Sequence, residues 1–571
     1  MGKLVDLSAK PYYLNAEQIG WVEETIAGMT LEEKIGQLFI AHNHNLDIET
    51  AKKDLEKYHY GGQRYKDSGS TIEEVYEFLK AAQAASKIPL LVAANCDSGG
   101  DGCVGDGTYI ATAAAVEASG SEQVAYNVGY VSGREEQAIG VNWNFDPCVD
   151  ILKNWRNTIV NTRAYGTDAD TVIKYARQYI KGLKQSNVAV CVKHFPGDGT
   201  EERDQHLVLG VNELAPEEWD ASFGKVYKTL IDDGLMSIMA GHIALPYYQY
   251  KLVPGLKYED VLPATLAPEL INGLLKTQLD FNGLVTTDAS HMLGMSASMP
   301  RRDFVPGAIA AGVDMFLFWR DADEDYGYML EGYRRGVITE ERLTDALRRI
   351  LGVKAALGLH KRQKEGTLIP PKEGLAVIGC AEHLAIAEDA ADKCISLVKN
   401  TRNELPIRPE THKRIELHVL KLEEAHGIYK TKTGIEDLIK EELERVGFEV
   451  TLADGAQRIG GKVEDFKDKF DAVLEFSDIR GYAAENNYRI KWLAPMGADI
   501  PWFVTEKPTV FVSLNFTTHL TDVPMVKCYI NAYKNTRTVI RAAIQKIMGD
   551  SKFKGQHFNE HVWCEKWETR R

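Results

Sequence analysis

VAVCVKHFPGDGTEERDQH, Val188–His206, is the stretch on which the fold turns. Its opening residues, VAVCV, are apolar on both faces, which is how a parallel strand reads when it is buried between layers. The run ends in Lys193 and His194; Phe195-Pro196-Gly197 then turns the chain into a polar loop that carries Asp204 and His206. LLVAANCDSGG, Leu90–Gly100, has the same form, an apolar run delivering a carboxylate, Asp97, just past its end. Working outward, strands are expected at Gln37–Ala41, Pro89–Asn95, Val141–Phe145, Ala189–His194, Ser237–His242, Gly283–Asp288 and Asp314–Trp319. Between them, stretches such as DTVIKYARQYIKGLKQSN, Asp170–Asn187, place apolar residues at helical spacing. This alternation predicts an α/β fold, and these strands fit a (β/α)8 TIM-like barrel better than an open sheet.

In a barrel the strand C-termini converge on one face. Polar residues cluster just past the expected strands: Asp97, Asp146 and Asp150, Lys193 and His194, His242, Asp288, and Arg320 with Asp321. The charged, Pro- and Gly-containing stretch 361–374 reads as a linker. Beyond it, Ile435, Leu438, Ile439, Leu443 and Val446 follow helical spacing to a stop at Gly447, and Phe448, Val450 and Leu452 alternate as a strand. AVLEF and TVFVSL read as buried strands, and a helix runs from about Thr538 to Met548. The expected organisation is a catalytic TIM-like barrel over 1–360, a linker over 361–374 and a smaller α/β sandwich domain over 375–571. Length alone, at about 150 residues per domain, suggests roughly four domains; a barrel's size reduces that to two.

The 571 residues carry 67 Lys+Arg against 82 Asp+Glu, a net charge of −15. That balance, with no basic stripe, argues against nucleic-acid and anionic-membrane partners. No apolar run is long enough to span a bilayer. The N-terminal MGKLVDLSAKPYYLNAEQIGW has no apolar signal core and fails the myristoylation pattern at Asp6. The eight cysteines form no CxxC pair or zinc spacing, so reduced thiols and a cytoplasmic location are expected.

The Asp204-Gln205-His206 triplet has two readings. A carboxylate beside an imidazole fixes its tautomer and stabilises its cation, which makes a general acid/base near neutral pH. An Asp-x-His in a solvated loop has no such role. Asp288, ending the apolar strand of GLVTTDASHMLGM (Gly283–Met295), is read either as a turn or helix-capping carboxylate or as a nucleophile aimed into a barrel mouth.

Taken together, these segments resemble family 3 glycoside hydrolases, within them the β-N-acetylglucosaminidase branch. MTLEEKIGQLF (Met29–Phe39), LLVAANCDSGG, NWNFDPCVDI (Asn142–Ile151), NTRAYGTD (Asn161–Asp168), KHFPG with its following D-x-H, and GLVTTDA carry the resemblance in the first domain. DKCISLVKN (Asp392–Asn400) and PTVFVSL (Pro508–Leu514) extend it to about residue 555. The resemblance implies that Asp288 is the nucleophile of a retaining mechanism, His206 the acid/base and Asp204 its partner. It implies that Asp97, Arg163, Lys193 and His194 hold sugar hydroxyls, with Met239 and His242 lining the same subsite. The substrate so implied is a small carbohydrate bearing terminal β-GlcNAc, a muropeptide or chito-oligosaccharide, with no metal and no cofactor.

Three other readings accompany this one. A β-glucosidase or β-xylosidase of the same family would draw its acid/base from the second domain, where Glu485 in GYAAENN is available. A non-catalytic sugar-binding protein would have lost the nucleophile or acid/base, which this chain retains. A metal hydrolase would use His194, His206 and Asp288, whose spacing matches no ligand motif. Some members of the resembled branch accept phosphate in place of water. Asp198, where many relatives have His or Arg, together with Glu201 and Glu202, would repel phosphate, so water is the expected acceptor. The loop after Asp97 also lacks the basic residue that often follows its double glycine.

Overall fold

The computed structural model describes residues 4–65, 70–421, 434–479, 489–556 and 566–571. These fall into two compact units: residues 1–109, 125–153 and 167–383, and residues 110–124, 154–166 and 384–571.

The first unit is the expected barrel. Its strands are β1 (Phe39–Asn43), β2 (Gly62–Tyr65), β3 (Leu91–Ala94), β4 (Trp143–Asn144), β5 (Ala189–Phe195), β6 (Ser237–Ala240), β7 (Leu284–Thr287) and β8 (Phe316–Leu317). Each pairs in parallel with its neighbours in order, and β8 returns to β1 through Phe39↔Phe316 and Ile40↔Leu317. A single parallel bridge, Thr286↔Met315, closes the seam between β7 and β8, backed by Thr287 N donating to Met315 O at 3.0 Å. Asp314 reinforces that seam from below: its Oδ2 accepts the Val285 N–H at 2.8 Å, and its Oδ1 meets Lys276 at 3.2 Å and Arg342.

All seven strands expected from the sequence are present, and β2 is the addition. GQRY carries no β-branched residue and two long polar ones, so it lacks a strand signature. Its Gln63 and Arg64 are nevertheless buried, because their neighbours in the barrel supply the cover. Inside the barrel, the fully buried Trp143 donates its indole N–H to Ser237 Oγ at 2.8 Å, and that hydroxyl donates to Val190 O at 2.8 Å.

The outer helices begin at sequence-encoded caps. Thr71 and Glu74 form a capping box at Ile72–Ala85, Asp168 caps Ala169–Leu183, and Thr339 caps Glu340–Ala356. Ala169–Leu183 packs backbone to backbone on a further helix, Glu122–Ile139, at Gly182, where an added Cβ would lie 2.1 Å from the Tyr126 carbonyl oxygen. After the last long helix the unit continues through a helix at Leu359–Glu365 and a 3₁₀ turn at Lys372–Val377.

The second unit is built on a six-stranded mixed sheet: β9 (Ser396–Asn400), β10 (Arg414–Lys421), β11 (Glu449–Leu452), β12 (Ala472–Asp478), β13 (Thr509–Ser513) and β14 (Cys528–Asn531). Its order is β9-β14-β13-β12-β10-β11, with β9 alone antiparallel. The expected helices appear at Ile435–Arg445 and Arg537–Met548. Val473, Phe503, Phe511, Leu520 and Tyr529 lie in its core.

Candidate active site

The side chains that matter stand at the C-terminal ends of the barrel strands. β5 runs apolar from Ala189 and then delivers two buried polar groups. The Lys193 ammonium lies 2.8 Å from Asp146 Oδ1, both fully enclosed. His194 Nδ1 lies 2.7 Å from Asp150 Oδ2, and Asp150 Oδ1 accepts the amides of His194 and Asp198 at 3.2 and 2.7 Å. The Cys148 thiol donates to Asp150 Oδ2 at 3.1 Å. Burial pushes the Asp150 carboxyl up, but His194 and these hydrogen bonds outweigh it and hold it below the ordinary carboxylate value. Ionised Asp150 can only accept, so Nδ1 of His194 carries the hydrogen and Nε2 is turned toward Asp288, 3.8 Å from its Oδ2.

Asp288 follows β7 with its side chain 13% exposed. Its Oδ1 accepts the Ala289 N–H at 2.7 Å, and its own N–H donates to Ala240 O at 2.8 Å. Burial pushes this carboxyl up, but the imidazoles of His194, His242 and His206 draw it further down, below the ordinary value. It is therefore an ionised carboxylate in a pocket ringed by imidazoles, the state a nucleophile requires.

The loop after β5 places the dyad. Gly197 takes a left-handed φ of +119°, and a Cβ there would sit 2.1 Å from the Phe223 ring. Asp204 is buried, and its Oδ1 receives both the His206 N–H at 2.9 Å and the His206 ring Nδ1 at 2.6 Å. The ring is 24% exposed, with Nδ1 turned to the buried carboxylate. This loop is pinned to the segment beyond Asp288: Leu293 N donates to His206 O at 3.0 Å and Gly294 N to Gln205 O at 3.2 Å. Gln205 Oε1 accepts the His242 N–H at 2.7 Å. The dyad and Asp288 are thus held by one hydrogen-bonded framework.

His242 itself has both ring nitrogens engaged. Nε2 donates to Ala289 O at 2.9 Å, and Nδ1 accepts from Thr265 Oγ1 at 3.0 Å. Burial lowers its pKa, and its two bonds fix it as a ring that positions the Asp288–Ala289 turn. Met239, on β6, is buried within the barrel core. Asp97 stands partly buried beyond β3. Arg163 sits on a 3₁₀ turn, Asn161–Arg163, that clusters with the second unit. Glu485 lies outside the described residues. Asp146, Asp150, Gln205 and Thr265 are positioning groups to which the sequence alone gives no role. The first two were visible as polar residues past a strand; the last two carried no signal.

A parallel eight-stranded α/β barrel with an ionised carboxylate, an Asp–His pair and a Lys–His strand end at one mouth is the scaffold of a glycoside-cleaving enzyme. The glycosyl hydrolase family 3 N-terminal domain matches residues 30–353, and the chain belongs to that family. It is 38% identical over 569 residues to the β-N-acetylglucosaminidase/β-glucosidase of Cellulomonas fimi, covering 99% of this chain and all of that protein. The β-glucoside phosphorylase BglX bound to 2FGlc superposes with a TM-score of 0.91 at 37% identity, covering 96% of this chain and 98% of that one. A family 3 β-N-acetylglucosaminidase from Paenibacillus sp. str. FPU-7 shares the fold, with a TM-score of 0.78 at 23% identity over 93% of this chain and 98% of that one.

Proposed function

We propose that this glycoside hydrolase is a retaining exo-β-N-acetylglucosaminidase that releases terminal β-GlcNAc from muropeptides or chito-oligosaccharides. The observation that carries this reading is the buried Asp204 carboxylate 2.6 Å from His206 Nδ1, in a loop bonded to the nucleophile's own segment. Asp288 attacks C1 as His206 Nε2 gives its proton to the departing oxygen, leaving a glycosyl-enzyme ester. Water then attacks C1, its proton passes to Nε2, and Asp288 leaves as carboxylate. An imidazole in this role places no second negative charge beside the nucleophile. Asp97, Lys193 and His194 are assigned to the sugar's hydroxyls. The naming of the Cellulomonas fimi relative supports the GlcNAc assignment and adds β-glucosides as a second substrate class. The seven described cysteines, all free thiols, support a reducing compartment such as the cytoplasm; no described helix is long and apolar enough to cross a membrane.

Phosphorolysis is the second reading, favoured by the likeness to a β-glucoside phosphorylase. The acidic loop is a weaker barrier to phosphate than its sequence suggests: Glu201 is paired with Arg203 and accepts the Val211 N–H at 2.5 Å, and buried Asp198 accepts the Gly199 N–H at 2.6 Å. Products of chitobiose cleavage with and without phosphate, resolved by NMR, test both. β-GlcNAc released in phosphate supports hydrolysis; β-GlcNAc 1-phosphate as the main product replaces it with phosphorolysis through the same double displacement, and α-GlcNAc as the first product in water removes the double displacement.

A further inference from the structure

Beside Asp288, on the arc of the barrel opposite to the strands that carry Lys193 and His194, four rings meet. His42, at the end of β1, lies 3.8 Å from His44 and 4.6 Å from Phe318, ring centre to ring centre, and stacks on Phe318 at 25°. Phe318 follows β8 and lies 6.2 Å from His291, which stands just past Asp288. His44 and His291 are exposed, while His42 and Phe318 are partly buried. The register His42↔Arg64 puts Arg64 on the same face of the sheet as His42, with its guanidinium donating to Tyr65 O at 3.1 Å. Burial, Arg64 and His44 together push the His42 imidazole down to about 2, so that ring is neutral at any working pH and offers a flat, weakly polar face.

This row is bonded to the chemistry. Ser290 donates its N–H to Leu317 O at 2.7 Å and its hydroxyl to Phe318 O at 2.5 Å, which locks the nucleophile's turn to the ring-bearing strand end. Two residues past His291, Leu293 donates its N–H to His206 O, so the segment that carries His291 is also bonded to the acid/base loop. A core needs no such arrangement at a solvent-facing mouth: two of the four rings gain little by burial where they stand. Stacked faces at strand ends bonded to the nucleophile's turn suit a sugar ring, whose axial C–H groups pack on aromatic surfaces.

We propose that His42, His44, Phe318 and His291 form the leaving-group subsite, a platform for the pyranose ring attached through the scissile oxygen. The proposal rests on Asp288 and His206 acting as assigned above. The substitutions are His44→Ala and His291→Ala, at exposed positions, with Phe318→Leu, which keeps bulk and removes the ring face. The measurement is kcat/KM on chitobiose and on methyl β-GlcNAc, whose leaving group has no ring. A stacking loss of about 1.4 kcal/mol corresponds to about tenfold, so each variant is expected to lose about tenfold more on chitobiose than on the methyl glycoside. Added GlcNAc should also capture the glycosyl-enzyme less well against water in each variant. Equal losses on both substrates, or none, overturn the subsite while leaving the parent reading standing. A native enzyme that cleaves neither substrate overturns both.

Discussion

Replacing Asp204 by Asn isolates what its charge does. Asn keeps the shape, and its side-chain oxygen still accepts from His206 Nδ1, now 2.6 Å from Asp204 Oδ1, and from the His206 N–H at 2.9 Å. The imidazole orientation and tautomer therefore survive, and only the stabilisation of the imidazolium is lost. At an effective dielectric of about 20, unit charges ~4 Å apart attract by about 4 kcal/mol. With the neutral hydrogen bond retained, a loss of roughly 2–4 kcal/mol remains, or about 30- to 1,000-fold in rate. The penalty depends on how much proton transfer the departing oxygen needs. An activated dinitrophenyl β-GlcNAc leaves almost unaided, so its glycosylation step should slow by less than about threefold. An alkyl or sugar leaving group should slow by the full amount. The assay is kcat/KM across a series of leaving groups, with pre-steady-state detection of the glycosyl-enzyme for the activated member. A uniform loss across the series, or none anywhere, would refute the acid/base assignment of the dyad.

Asp288→Ala should reduce turnover by at least about 10³-fold while calorimetry still detects GlcNAc binding; retained turnover removes Asp288 as nucleophile. His194→Gln takes away the foremost of the three imidazoles that depress the Asp288 carboxyl, so that pKa rises and the acid limb of the kcat/KM profile moves to higher pH. A limb that stays put, or moves to lower pH, contradicts the electrostatic role. Gly197→Ala forces an L-residue to a φ of +119° and drives a methyl to 2.1 Å from the Phe223 ring. It should cost about 2 kcal/mol or more, read as a lower denaturation midpoint with an unchanged slope.

The contrast between the two imidazole–carboxylate pairs shows where sequence reading stops. Asp204 and His206 are separated by a single residue, so their pairing is written in local order. Asp150 and His194 are 44 positions apart, and both were visible only as polar residues past separate strands; the register of β4 beside β5 is what joins them. β2 failed for a related reason. Its Gln63 and Arg64 are polar residues buried by their surroundings, and burial supplied by neighbours leaves no periodicity in the segment itself. The parallel barrel was legible because its other strands are apolar on both faces, a consequence of being covered on both sides. His242 was legible as a strand-end histidine but not as a positioning group, since its partners Thr265 and Ala289 come from segments with no motif.

The return of β8 to β1 has a consequence for how the protein is made. Phe39 waits for Phe316, and Ile40 for Leu317, as partners across the ring. At ordinary rates of translation, tens of seconds separate the emergence of these strands. Through that interval the nascent chain holds a growing, unclosed sheet whose first strand has a bare edge of amide and carbonyl groups. The Thr286↔Met315 bridge and the Asp314 carboxylate form last and nearby in sequence, so the final stitch is local even though the ring it completes is not. Ribosome-bound chains ending before Phe316 are therefore the ones most exposed to mispairing and to capture by chaperones.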